Sequence, residues 1–174
     1  MKKGSRAKDL EDSLEWLLSA GLVHRVMKIE KPAVPLAAFA DQTFFKLYMA
    51  DIGLLRKMAE LPASAIFGED NSYREFKGAL TENFVLLELL SLQEKPIYYW
   101  KSKNIAEVDF ISMFETDIIP FEVKAGMNLK ARSLAEYRKK YSPRIAVKTS
   151  MRNVSCGEIL HLPLYLLWKL KDYL

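Results

Sequence analysis

Cys156 is the only cysteine in this chain of 174 residues, so no intramolecular disulfide can form. One stray thiol suits a reducing compartment better than a secreted scaffold. Long apolar runs are missing as well. The longest, Ile159 to Trp168, contains His161 and Pro163 and falls well short of the roughly 20 residues needed to span a bilayer. The start, Met1-Lys2-Lys3-Gly4, is basic but has no apolar stretch behind it and does not read as a secretory signal. There is no internal repeat, no low-complexity tract and no Gly-x-x-x-x-Gly-Lys-Ser/Thr loop to cradle nucleotide phosphates. These absences leave a soluble cytoplasmic protein as the expectation.

What is present is enough apolar material for a core. Half the residues are apolar and 28% are charged, which is a globular rather than a disordered composition. The net charge of +4 is unevenly spread. Residues 61–124 hold six basic and eleven acidic side chains, whereas residues 125–174 hold ten basic and three acidic ones. An acidic block followed by a basic one suits a metal site beside a phosphate-binding surface, although a solvated basic helix is the commoner cause.

Leu10, Leu14, Leu17 and Leu18 recur at helical spacing over Asp9 to Ala20, and Gly21 stands where a glycine would end that helix. Leu22 to Ile29 then reads as a strand. Leu36 to Phe39 and Phe44 to Tyr48 read as short strands beyond Pro32 and Pro35. A helix spans Asp51 to Leu61, and a long one spans about Tyr73 to Gln93. Strands are expected at Ile97 to Lys101, Val108 to Phe114 and Ile118 to Lys124. A helix at about Ala131 to Tyr141, a strand at Arg144 to Lys148, and a strand and helix within Glu158 to Leu174 complete the order. The expected fold is α/β, with one mixed sheet flanked by helices.

Chemistry concentrates on three of these elements. In Pro120-Phe121-Glu122-Val123-Lys124, strand alternation puts Glu122 and Lys124 on one face and Phe121 and Val123 on the other. In Glu107-Val108-Asp109-Phe110-Ile111 the same rule places Glu107 with Asp109, and Val108 with Phe110 in the core. If the two strands pair through Glu115-Thr116-Asp117, Asp109 and Glu122 converge, and two carboxylates with an ammonium suit a Mg²⁺-type ion and its water. Glu82 adds a third carboxylate, on or beside the apolar stripe of the long helix. An ionised acid there needs a cation, a metal or hydrogen-bond donors. Glu107 is either a spare ligand or a repulsive neighbour. Each motif alone is more often a surface ion pair or an edge charge; their ordered combination carries the reading.

The ordered stretches Leu14-Glu15-Trp16-Leu17, Phe45-Lys46-Leu47-Tyr48, Gly78-Ala79-Leu80-Thr81-Glu82-Asn83, Glu107-Val108-Asp109-Phe110 and Pro120-Phe121-Glu122-Val123-Lys124-Ala125-Gly126 give the chain a relative. It resembles the C-terminal region of a family of bacterial and archaeal AAA+ ATPases, in which a winged helix and a PD-(D/E)XK nuclease-like domain follow the ATPase domain. The resemblance implies a partial winged helix and connecting segment over residues 1–66. A PD-(D/E)XK, restriction-endonuclease-like domain would then cover residues 67–174. It implies Asp109, Glu122 and Glu82 as ligands of Mg²⁺ or Mn²⁺, Lys124 as the catalytic cation, and a phosphate contact for Tyr137. Tyr137 also fits an ordinary core stripe with Leu134 and Tyr141. Val108, rather than Pro, precedes Asp109, so the dipeptide naming the fold is half present.

The expected activity is a magnesium-dependent endonuclease acting on DNA, with Lys130, Arg132, Arg138, Lys139 and Lys140 attracting the backbone. The ATPase domain of the parent protein is the expected protein partner, the sequence leaves the oligomeric state open, and the ATPase half is missing from this sequence. The alternatives are a non-catalytic module binding nucleic acid or protein on the same fold, and an ATPase-associated interaction domain. Tyr98, Tyr99 and Trp100 are expected in core and rim rather than stacked on bases. Trp16 and Trp168 are expected to be structural.

Overall fold

The computed structural model describes residues 7–62, 73–102, 106–126 and 132–174. Helix α1, Ala7–Ser19, stops where glycine permits it to. Gly21 has a φ of +68°, and the N–H groups of Gly21 and Leu22 donate to the carbonyls of Leu18 and Leu17, each at 3.0 Å. Only glycine takes that left-handed turn without strain, and it closes the last carbonyls of the helix. Trp16 lies on the solvent side of α1, because Leu14, Leu17 and Leu18 occupy the half-buried stripe. It is 65% exposed, so the structural role expected for it is not found.

Strand β1, Val23–Ile29, pairs antiparallel with β2, Ala40–Met49. The segment Leu36–Phe39, expected as a strand, is a 3-10 turn following Pro35; it tucks Leu36 against the same core as Trp100 and Val108. Helix α2, Ile52–Met58, begins at Asp51, whose carboxylate accepts from the Leu54 N–H at 2.6 Å. Then follow α3, Arg74–Leu92; β3, Tyr98–Lys101; β4, Glu107–Phe114; and β5, Asp117–Val123. Helix α4, Arg132–Tyr141, leads to β6, Val147–Ser150, and β7, Leu160–Pro163. A 3-10 helix, Leu164–Tyr173, ends the chain; Trp168 on it is 60% exposed rather than packed.

All seven strands form one mixed sheet in the order β2-β1-β3-β4-β5-β6-β7. The N-terminal hairpin is therefore continuous with the rest: Met27, Lys28 and Ile29 run parallel to Tyr98, Tyr99 and Trp100. The β3–β4 and β4–β5 pairs are antiparallel, and β5–β6 and β6–β7 are parallel. Two cores lie on the two faces. Val85, Leu86 and Leu89 of α3, with Leu167 and Leu170, cover Phe110, Phe121, Val123 and Val147. On the other face Leu134 and Tyr137 of α4 cover Trp100, Val108 and Ile111. Among the described residues no helix is long and apolar enough to cross a membrane.

Strand β4 departs from simple alternation. Trp100 lies opposite Val108 while Tyr98 lies opposite Ile111, so β4 carries one extra residue there. Val108 and Ile111 consequently face α4 while Phe110 and Phe114 face α3. The shared face expected for Val108 and Phe110 is thus corrected: a bulge turns the strand between them, at Asp109.

Asn83 ties α3 to the hairpin. It is 1% exposed; its amide oxygen accepts from the Met49 N–H at 2.8 Å and its amide nitrogen donates to the Met49 carbonyl at 2.9 Å. Asn83→Ala strips two backbone groups of their partners and is expected to cost about 2–4 kcal/mol in a urea melt. Asn83→Asp, which keeps only the acceptor, should cost at least as much at neutral pH.

Candidate functional site

The β4–β5 ladder runs from the turn up to the pair Phe110 and Phe121. One residue further on, the Asp109 side chain replaces a ladder bond: its Oδ2 accepts from the Val123 N–H at 2.7 Å. The bulge thus aims a carboxylate between two parting strands, where both faces of the sheet are within electrostatic reach. Burial, then the charges of Glu82 and Glu122, push the Asp109 carboxyl up to about 7, despite the Val123 hydrogen bond and Lys46. The structure therefore brings Glu82, Asp109 and Glu122 into one electrostatic neighbourhood, centred on Asp109.

Phe121 and Val123 belong to the α3-side core, so Glu122 and Lys124 alternate to the α4 side, as the sequence indicates. Glu122 is 4% exposed; its Oε1 holds the Lys124 ammonium at 2.6 Å and its Oε2 is buried without a partner. A buried carboxylate oxygen without a donor is costly. A donor or a metal ion at that oxygen would offset the cost.

Glu82 has the donors its helical position called for. Lys46 Nζ lies 3.0 Å from its Oε1, and the Tyr48 hydroxyl donates to the same oxygen. Lys46 also reaches Glu107 at 2.6 Å, and Lys101 reaches Glu107 at 3.2 Å. Burial alone would raise the Glu107 carboxyl, but these two lysines hold it below the usual range. Burial would likewise lower the Lys46 ammonium, yet Glu82 and Glu107 raise it instead. Glu107 is thus a neutralised neighbour of the cluster. Lys46 and Tyr48 were missed as site residues. The signal was their spacing of two in β2, which puts both on one face, but nothing local to the hairpin tells that this face meets α3.

Among the described residues no group of three or more His, Cys, Asp and Glu side chains is arranged to hold a metal ion. Glu82 is engaged by Lys46 and Tyr48, Glu122 Oε2 is buried without a donor, and the Asp109 carboxyl is raised by burial and by its acidic neighbours. Tyr137 is 1% exposed and packs edge-on against Trp100 at 5.3 Å, so it is a core residue. Tyr98, Tyr99 and Trp100 are buried, as expected. Of the basic residues expected to attract DNA, Lys130 lies outside the described residues. Arg132, Lys139 and Lys140 are exposed, and Arg138 pairs with Glu158 at 3.2 Å.

The class these features define is a mixed α/β protein whose central strands gather acids and lysines where β4 and β5 part. Residues 77–167 match a family model described as Domain of unknown function (DUF4143), and the chain belongs to that family. Residues 1–65 match a second model, Domain of unknown function (DUF8612). No curated protein and no solved structure matches the chain.

Proposed function

We propose that residues 67–174 form a PD-(D/E)XK nuclease-like domain that hydrolyses phosphodiester bonds of DNA. Residues 1–66, whose hairpin joins the same sheet through β3, would be a partial winged helix, within a protein whose ATPase domain is its partner. The observation that carries this reading is the coupling of Asp109 with Glu122 where β4 and β5 part, beside a lysine two residues along. The separate family match over residues 1–65 supports the division of the chain. A divalent ion bound by Asp109 and Glu122, with Glu82 nearby, would supply positive charge and an acidified water. Lys124, held by Glu122, would place an ammonium where charge develops on the phosphate. Exposed Arg132, Lys139 and Lys140 would attract the backbone without regard to sequence.

The test is nicking of supercoiled DNA by the intact parent protein with Mn²⁺ or Mg²⁺. Wild type should cleave and Asp109→Ala should fall by at least about 100-fold, as expected when charge stabilisation at a reacting centre is removed. Equal rates for the two would end the nuclease reading. The second reading, a binding module on the same fold, is favoured by one observation, the capture of Glu82 and Glu107 by Lys46. It predicts salt-sensitive DNA binding that survives loss of Asp109 and Glu122, with no metal heat by calorimetry.

A further inference from the structure

Strand β2 is the outer strand of the sheet at the hairpin end, so half of its backbone groups have no neighbouring strand to bond. Two contacts show which half. The Ala50 N–H reaches back to the Leu22 carbonyl at 3.0 Å, so Ala50, Tyr48 and Lys46 turn their backbone groups toward β1. Met49 turns both its N–H and its carbonyl outward, to the side-chain amide of Asn83. Leu47 and Phe45 keep that alternation and point their N–H and carbonyl groups out of the sheet. The open stretch is short. Asn83 closes it at Met49, and beyond Phe45 the ladder breaks: Met27 lies opposite Phe45, but Lys28 lies opposite Asp41. Large apolar side chains stand in water there, with Phe44 56%, Leu47 46% and Phe45 38% exposed. Beside them, between β2 and helices α2 and α3, opens a cavity of about 470 Å³. Its apolar walls are Val23, Leu47, Leu55 and Ala79, and the bonded pair Lys46 and Glu82 borders it.

Free amides two residues apart, with exposed apolar side chains around them, are the template that a further strand needs. Asn83 already plays that part for Met49, giving it one acceptor and one donor as a strand residue would. We propose that β2 docks an extended, uncharged peptide segment of another protein, which pairs with Phe45 and Leu47 and sets one apolar side chain in the cavity. The guest residue between the two bonded ones turns to the face of Tyr48, where α3 and the cavity lie. Charge and area select this occupant. Arg25 pairs with Glu15, Lys28 with Asp41 and Lys46 with Glu82. Glu30 and Lys31 cancel, as do Lys101 and Glu107, so the hairpin has no surplus charge to attract a nucleic acid. The three exposed side chains offer roughly 100 Å² apiece or less, judged by the ~150–250 Å² of a whole aromatic side chain. That falls well below the ~800 Å² per partner of a stable folded interface, and so suits a strand rather than a second copy of this chain. The surface does not depend on the nuclease reading.

The test uses the full chain and, as the probe, a random heptapeptide library displayed on phage. Enriched peptides should carry apolar residues at alternate positions, and one of them, resynthesised, should bind in solution. Methylating its amide nitrogens one at a time removes one donor each. Affinity should fall about threefold to tenfold at the amides facing β2 and little at those between, a period of two that a merely adhesive apolar patch would not produce. Leu47→Pro deletes an N–H that β1 does not use and that an edge strand can spare, and should weaken the peptide about tenfold. Ala79→Trp, at an exposed helix position, fills the cavity and should weaken the peptide by a similar factor while the melting temperature hardly moves. No enrichment, no period of two, or unchanged binding in both variants would overturn the proposal. Displacement of the peptide by oligothymidylate would overturn it in favour of a nucleic acid. A concentration-dependent dimer that the peptide dissociates would overturn it in favour of a second copy. None of these results depends on the fate of Asp109→Ala in the nicking assay.

Discussion

Replacing Asp109 by Asn is expected to make the protein more stable at pH 8 while removing its response to Mn²⁺. The Asp109 carboxyl titrates near 7 in the folded chain and near its ordinary value, 3.8, when unfolded. Its ionised form is therefore favoured in the unfolded state. Below about pH 3 both states hold the proton and the residue costs almost nothing. As pH rises from about 3 toward 7 the unfolded chain gives up the proton first, so stability falls; above about 7 the full penalty is present. A shift of about three units corresponds to up to about 4 kcal/mol. Asparagine carries no charge and its Oδ1 still accepts from the Val123 N–H, so the hydrogen bond that closes the parting strands survives. Asp109→Asn should gain up to about 4 kcal/mol at pH 8, or roughly 8–16 °C in melting temperature, and almost nothing near pH 3. Urea or thermal melts at the two pH values read this directly. If Asp109 serves a cation, Mn²⁺ should raise the wild-type melting temperature at pH 8 and leave that of the variant unchanged. A variant less stable than wild type at pH 8 would show that the carboxylate is compensated in the native fold. The expected pattern is the trade of stability for a functional charge.

How much of this was legible beforehand follows from which interactions are local. The helices, the order of strands and the face shared by Glu122 and Lys124 follow from periodicities of 3.6 and 2, which each segment carries within itself. Gly21 ended α1 because the left-handed turn is a property of that one residue. The bulge at Asp109 was not legible: it exists only in the register of β4 against β3, where Trp100 meets Val108 but Tyr98 meets Ile111. Without it Phe110 would point with Val108, and the alternation rule assigned both to one face. Leu36–Phe39 misled for the opposite reason, being too short and too apolar to tell a strand from a turn that buries Leu36.

The site itself divides along the same line. The shared face of Glu122 and Lys124 was legible from strand alternation and Glu82 from its helical position, whereas alternation named Asp109 without the bulge that positions it. Lys46 and Tyr48 lie 36 and 34 residues before Glu82, and their meeting depends on the hairpin joining the main sheet next to β3. Lys148 looked like one more charge in a basic segment. Only the parallel register of β5 and β6 reveals that it sits beside Glu122 and out of water.

The continuity of that sheet rests on β3, and Trp100→Ala is expected to be the most damaging single substitution in it. Trp100 is 1% exposed and stands between Ile29 of β1 and Val108 of β4. Its indole meets Tyr137 and Tyr141 of α4 edge-on, at 5.3 and 5.7 Å between ring centres. Truncation removes the transfer energy of the indole and leaves a cavity that a β-strand backbone cannot collapse to fill, a loss of about 3–5 kcal/mol. For a chain of this size that is roughly 6–20 °C in melting temperature, and a large share of the 5–15 kcal/mol that holds a typical domain together. Trp100→Phe keeps an aromatic ring against α4 and should lose about half as much or less. The damage should also spread in one direction. With β3 loosened, hydrogen exchange should quicken in β1 and β2 before it does in β5 to β7, because the hairpin joins the sheet through β3. Since that hairpin brings Lys46 and Tyr48 to Glu82, Trp100→Ala should release Glu82 even where the fold survives. Uniform exchange across all seven strands would instead show that the hairpin and the rest of the sheet unfold as one unit.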